Sequence, residues 1–341
     1  MNRVTIAGLA EQLGISKASV SYALNDQRGV SAETRQRVLA LAQELGWYPS
    51  SSARALSHAR TGAIGIVLSR EPEMIGAEPY YMSLLAGIES VLGATDMSLL
   101  LRMVGTEGQR DLAVYERWAG ERRVDGVILF DHLIGDPRLA LLDRLALPYV
   151  LHGASVELPG ATCTTVDQDE DAATLVTHLH ELGHHRLAHV TGPRTLIHEK
   201  ARLAAVLRHA GRHGMDVTDI ESDYTLAGGA AATSALLAGA SMPTAVIYGN
   251  DLMTMGGMTA FKLARVPVPD AVSVVSWDDS ILCQLGSPAV TALQRNPQEQ
   301  GRRSARLLLE VIAGRQPANV RAGAGVLVVR ESSARKVNGA D

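Results

Sequence analysis

Two cysteines stand in the 341 residues, Cys163 and Cys283, and they lack both the paired spacing of a metal site and the number needed for a disulfide framework. They read as reduced core residues of a cytosolic protein. Long hydrophobic runs are missing too: none approaches the length of a membrane span. The first residues, with Arg3, Glu11 and Gln12, hold no apolar core of an export signal, so a membrane or exported protein is not expected. Catalytic signatures are absent. No nucleophile elbow, phosphate-binding loop or zinc-protease helix occurs, and neither an enzyme nor a cofactor is expected. Histidines invite a metal reading, because 180/184 and 185/189 have i, i+4 spacing. Gly183 breaks the helix that would align them, and no metal is expected. The tail after Val329 is short, polar and free of heptads, which argues against a C-terminal zipper.

What is present begins at residues 4–31, VTIAGLAEQLGISKASVSYALNDQRGVS. Ile6, Leu9, Ala10 and Leu13 recur at i, i+3, i+4 and i+7, giving a short helix one apolar face. Gly14 supplies a bend, and Ser16 can cap a second helix whose Val20, Ala23 and Leu24 face inward. Lys17, Ala18, Ser21, Tyr22 and Asn25 are left on the outer face. This is the pattern of a helix-turn-helix. Ser31 starts a third helix, with Val38, Leu41, Ala42 and Leu45 at core spacing, and Gly46 ends it. Residues 1–60 carry seven Lys/Arg against four acids, a net of +3. The whole chain stands at −4, so the remainder carries −7. That asymmetry points the small basic end toward a polyanion, and two copies would double its phosphate contacts. Residues 50–57 are small and polar apart from Leu56, with no face broad enough to hold a helix in isolation. They read as a plain linker or as a hinge that folds when paired.

The run from Val4 through Gly65, with VSYALN, VSAETRQRV, ELGWYPS, ARAL and TGAIGIV, resembles the lactose-repressor (LacI/GalR) family of bacterial transcription regulators. The similarity extends over the whole chain, since YYMSLLAGIE, RVDGVILF, HLHELGHHRLAHVTGP, TAVIYGND and DAVSVVSWDDS follow in family order.

Beyond residue 62 apolar, β-rich runs alternate with amphipathic stretches. Strands are expected at 63–68, 98–101, 126–130, 149–151, 187–190, 245–248, 272–276 and 326–329, and helices at 81–92, 171–182, 199–212 and 252–264. Such alternation argues for parallel sheets covered on both faces, and the strands are too many for one sheet. The resemblance implies a bilobed, periplasmic-binding-protein-like α/β core of two doubly wound parallel sheets behind an all-α head. The expected organisation is a helix-turn-helix domain at 1–49, a hinge at 50–61, and a ligand-binding and dimerisation core at 62–341. Its first lobe would comprise about 62–162 and 294–330, its second about 163–293.

The resemblance also carries residue roles. Lys17, Ala18 and Tyr22 match positions that read base edges in the major groove. Thr5, Ser16, Ser21, Asn25 and Ser31 match phosphate contacts. Leu56 matches a hinge leucine that wedges into the minor groove, and Ala53 the position that lets two hinges approach. An effector is expected in the cleft between lobes, outside the carboxyl ends of strands. Asn250 and Asp278 match residues that hydrogen-bond ligand hydroxyls, Trp277 would offer an apolar ring face, and Tyr80 and Tyr81 would line the near wall. Lys200 stands where an arginine fork is usual, Ser276 replaces a glycine, Arg295 stands where Gln is commoner, and 71–81 is longer than the usual loop; these departures argue against an ordinary hexose. The expected function is a cytoplasmic, effector-controlled repressor, binding a pseudo-palindromic operator in double-stranded DNA as a homodimer and answering to a carbohydrate or its derivative. A solute receptor of the same core would need export, and an enzyme would need a catalytic constellation.

Overall fold

The computed structural model describes residues 4–25, 27–47, 60–71, 74, 76–105 and 110–336. Ala53 and Leu56, the expected minor-groove residues, lie outside these.

The head is built of α1 (Ile6–Leu13), α2 (Lys17–Leu24) and α3 (Ala32–Glu44). Each helix starts on a side-chain cap: Thr5 Oγ1 accepts from the Gly8 N–H at 3.2 Å, Ser16 Oγ from Ser19 at 3.0 Å, and Ser31 Oγ from Thr34 at 3.1 Å. Gly14 ends α1 at φ 66°, a left-handed conformation that costs a side chain about 1 kcal/mol or more. Leu9, Ala10, Val20, Ala23, Val38 and Ala42 are buried together between the three helices. The inward stripe read from spacing is therefore the actual core of this unit.

The body contains two six-stranded sheets. The first runs in the order β11-β5-β4-β3-β1-β2, where β1 is Ala63–Ser69, β2 Ser98–Val104, β3 Gly126–Leu129, β4 Tyr149–Ala154, β5 Cys163–Thr165 and β11 Val320–Arg321. All of its pairings are parallel. The second runs β12-β10-β9-β8-β6-β7, with β6 at Arg186–Thr191, β7 at Asp216–Glu221, β8 at Ala245–Tyr248, β9 at Ser273–Ser276, β10 at Thr291–Gln294 and β12 at Val326–Val328. Only β12, on the edge, is antiparallel to its neighbour. Helices α4 (Pro79–Leu92), α5 (Arg110–Gly120) and α6 (Pro137–Leu145) belong to the first lobe, and α7 (Gln168–Glu181), α8 (Ile197–Arg212), α9 (Leu226–Ala238), α10 (Asp251–Leu263) and α11 (Ile281–Leu285) to the second. The helix α12 (Pro297–Ile312) returns to pack on α4 and the first sheet. Among the described residues no helix is long and apolar enough to cross a membrane.

The chain crosses between lobes three times, after β5, after β10 and after β11. Two boundaries thus differ from the sequence-based placement. Cys163–Thr165 pairs with β4 in the first sheet, and Val326–Val328 closes the edge of the second. All eight expected strands form. The four the sequence did not reveal are short or polar: β5, β10 and β11 have three, four and two residues, and β7, DVTDIE, is an edge strand with little buried surface. Each lobe has its own apolar core, around Ile64, Leu84 and Leu308 in the first, and around Leu175, Val206 and Ile247 in the second.

Candidate functional site

The carboxyl ends of the strands from both sheets converge on one cleft. Arg70 follows β1, Asp131 follows β3, and His152 lies within β4; across the gap, Asn250 and Asp251 follow β8 and Asp278 follows β9. Two crossing segments contribute Gln168 and Arg295, the start of α4 contributes Glu78, Tyr80 and Tyr81, and α8 contributes His198 and Arg202. The space encloses about 700 Å³, part of it open to solvent.

Three arginines organise its polarity, and each already has an anionic partner. Arg70 Nη2 sits 2.9 Å from Asp131 Oδ2, and Asp131 also accepts from the Tyr81 hydroxyl at 2.7 Å. Arg202 donates to Glu199 Oε1 at 2.7 Å, to Gln168 Oε1 at 2.9 Å and to the Gly249 carbonyl at 3.3 Å. Arg295 donates to Asp278. Rings carry the guanidinium planes: Arg202 lies 4.8 Å from the Trp277 ring centre, Arg295 5.8 Å from Tyr80, and Arg70 5.5 Å from Tyr224. A buried guanidinium with a carboxylate on one edge and a ring beneath keeps a single orientation. Tyr224 in turn approaches because residue 192 is glycine; a Cβ there would lie 2.2 Å from the tyrosine Cζ.

Burial sets the charge states. Desolvation drives Glu78 up to about 7, against the pull of Arg70 3.9 Å away. Asp251 rises to about 6 through burial and the nearby Asp278 charge. Asp131 goes the other way: burial would raise it, but Arg70, His198 and the Tyr81 hydroxyl together hold it below the usual range. Desolvation lowers His152 to about 3 and His198 to about 4, so both are neutral near pH 7. His152 bonds Ser304 Oγ at 2.8 Å and the Tyr80 hydroxyl at 3.3 Å, and His198 bonds the Tyr224 hydroxyl at 2.8 Å. Such a cleft offers fixed charges, hydroxyls and ring faces.

Most of the sequence-predicted effector residues come together here. Tyr80, Tyr81, Asn250 and Asp278 all line the cleft. Asn250 has a second occupation, since its Oδ1 caps α10 through the Met253 N–H at 2.8 Å and its Nδ2 donates to the Tyr224 carbonyl at 3.0 Å. Two residues are placed otherwise. Lys200 is exposed and outside the lining; the cation that α8 turns inward is Arg202, two residues on. A helix turns 100° per residue, so side chains two residues apart point to opposite faces. Trp277 is fully buried and lies behind Arg202 as its platform, without lining the cleft. Sequence reasoning missed Arg70, Glu78, Asp131 and Gln168 as site residues. A signal existed for Arg70 and Asp131, because each directly follows a strand that had been recognised. For Glu78 and Gln168 there was none.

The head presents a second candidate surface. Lys17, Ala18 and Tyr22 are exposed along one face of α2, and the Tyr22 ring is 41% accessible. Ser21 and Asn25 are half-buried and bonded to each other at 3.3 Å, while Thr5, Ser16 and Ser31 cap the three helix starts. Those starts leave backbone N–H groups free for anions.

Known proteins resemble this chain in both its head and its body. The family model for bacterial regulatory proteins of the lacI family matches residues 5–50, and that for a periplasmic binding protein-like domain matches 176–333. The HTH-type transcriptional regulator CelR of Thermobifida fusca is 30% identical over 97% of this chain and 98% of its own. A solved complex of the regulator CelR with cellobiose superposes with a TM-score of 0.74 at 28% identity, over 97% of this chain and all of that one. The lac repressor dimer bound to operator and the anti-inducer ONPF gives 0.82 at 25% identity, over 98% of this chain and all of that one.

Proposed function

The chain belongs to the lacI family of bacterial regulatory proteins, and on that premise we propose that it is a carbohydrate-responsive, operator-binding repressor that works as a homodimer in the cytoplasm. The observation that carries this reading is the cleft at the strand ends, lined by hydroxyls, charges and ring faces, in a chain that also bears the exposed α2 face. Ring faces beside fixed charges suit a sugar, whose edges are polar and whose faces are apolar. The relative complexed with cellobiose supports the same class of ligand.

On DNA, Lys17, Ala18 and Tyr22 would meet base edges, while Thr5, Ser16, Ser21, Asn25 and Ser31 would hold phosphates. Ala53 and Leu56 would form the minor-groove hinge. In the cleft, Tyr80, Tyr81, Asn250 and Asp278 would bind the effector with Arg70, Arg202 and Arg295. A homodimer matches the twofold symmetry of a pseudo-palindromic operator. Effector binding changes the angle between the lobes and so the pairing of the two hinges, with a coupling of about 1–3 kcal/mol. The test is a gel shift on the chain's own upstream region, with and without neutral mono- and disaccharides. A specific complex that a sugar dissolves or strengthens supports the proposal and gives the sign of control. Binding no tighter than to unrelated DNA, or indifference to every sugar, refutes it.

A further inference from the structure

The cleft holds unpartnered polar atoms of two opposite kinds. Arg70 Nε and Arg295 Nε are buried donors without a hydrogen-bond acceptor. Glu78 Oε2 and Asp251 Oδ2 are buried acceptors without a donor, on residues only 5% and 2% exposed. All four residues line the same space. A buried polar atom left unpaired is costly, so these atoms describe what the ligand must bring.

Arg70 Nε and Glu78 Oε2 face each other at 3.9 Å. That is too long for a hydrogen bond, and short enough for one oxygen to reach both. The bridging group must accept from the guanidinium and donate to the carboxylate. A hydroxyl does both. A ligand carboxylate or phosphate could take the arginine N–H but would bring no proton to Glu78 or Asp251.

The charge balance points the same way. Each arginine is already matched, by Asp131, Glu199 and Asp278, so none is free to neutralise an acid. Glu78 and Asp251 are left over, and the flanking histidines are neutral near pH 7. A ligand anion would have to compete with a resident carboxylate for an arginine and repel two more.

Taking the sugar reading above as its premise, we propose that the cleft selects a neutral, polyhydroxylated saccharide and rejects the acidic counterpart of that saccharide, with Arg70 and Glu78 as the pair that enforces the choice. The experiment is calorimetric titration of the full chain with glucose, galactose, maltose and cellobiose, and with the matching uronic acids, in which a hydroxymethyl is exchanged for a carboxylate of similar size. At pH 8, where Glu78 is ionised, the neutral parent is expected to bind about 100-fold more tightly than its uronic acid, as like-charge contacts in a desolvated site require. Glu78→Gln keeps the shape, and should narrow the gap between parent and uronic acid by about 10-fold. An acid that binds as tightly as its parent overturns the proposal while leaving the sugar reading intact. So does an unchanged ratio in a Glu78→Gln protein whose circular dichroism matches the native chain. If no saccharide of any charge binds, the sugar reading itself falls, and this proposal with it.

Discussion

Replacing Glu78 by glutamine should stabilise the protein, and by an amount that depends on pH. Glu78 is 5% exposed, and its carboxyl is pushed from the ordinary 4.5 up to about 7, first by burial and against Arg70. A folded value above the unfolded one means that the group is harmless at low pH, where it is protonated in both states. As pH rises from 4.5 through 7 the unfolded chain gives up this proton readily, while the folded chain must bury the charge. At about 1.4 kcal/mol per pH unit of difference, the folded state loses about 3 kcal/mol by the time pH exceeds 7. Glutamine has no proton to lose. The difference in stability between Glu78→Gln and the native chain should therefore grow by about 3 kcal/mol between pH 4.5 and pH 8. Buried histidines such as His152 and His189 pull the pH profile of the native chain the other way, being lowered to about 3 and about 4, but they are common to both proteins and cancel in the comparison. Urea unfolding followed by fluorescence suits the test, because Trp118 and Trp277 are buried in the two lobes. A difference that stays flat from pH 5 to pH 8, or that shrinks, refutes the account of Glu78 as a carboxylate forced into burial.

Asp278→Ala would leave the Arg295 guanidinium, 7% exposed, without its partner, so the variant should lose roughly 3–5 kcal/mol of stability as well as effector binding; Asp278→Asn, compared with it in thermal melts, should recover much of the former. Trp277→Leu removes the platform beneath Arg202 and should weaken effector binding by up to about 2 kcal/mol in calorimetry, although Trp277 does not line the cleft. Leu9→Ala opens a cavity in a head with few buried side chains, and at about 2–5 kcal/mol should unfold it, abolishing the gel shift while leaving saccharide titrations unchanged. Tyr22→Ala should relax base preference at one position of each half-site by about 1–3 kcal/mol, read by binding-site selection; equal loss on all sequences would instead make Tyr22 a phosphate contact.

The head was legible almost completely because its physics is local. Spacing of Leu9, Val20 and Val38 defines the core, and Ser16, Ser31 and Gly14 mark helix ends by short-range hydrogen bonds and backbone conformation. Strands such as Ala245–Tyr248 were also legible, since a parallel strand covered on both faces must be apolar throughout. The sequence alone therefore determined the helix-turn-helix, the two-lobed α/β class, and the strand ends after which Asn250 and Asp278 follow. Only the tertiary structure decided which face of α8 enters the cleft, and so replaced Lys200 by Arg202. It alone brought Glu78 within 3.9 Å of Arg70, and Arg295 onto Asp278. Local pattern could not report these, because a charged residue after a strand reads the same whether solvent or a buried counter-ion awaits it. Electrostatic pairing belongs to the assembled lobes, where distance and burial fix the partner of each charge.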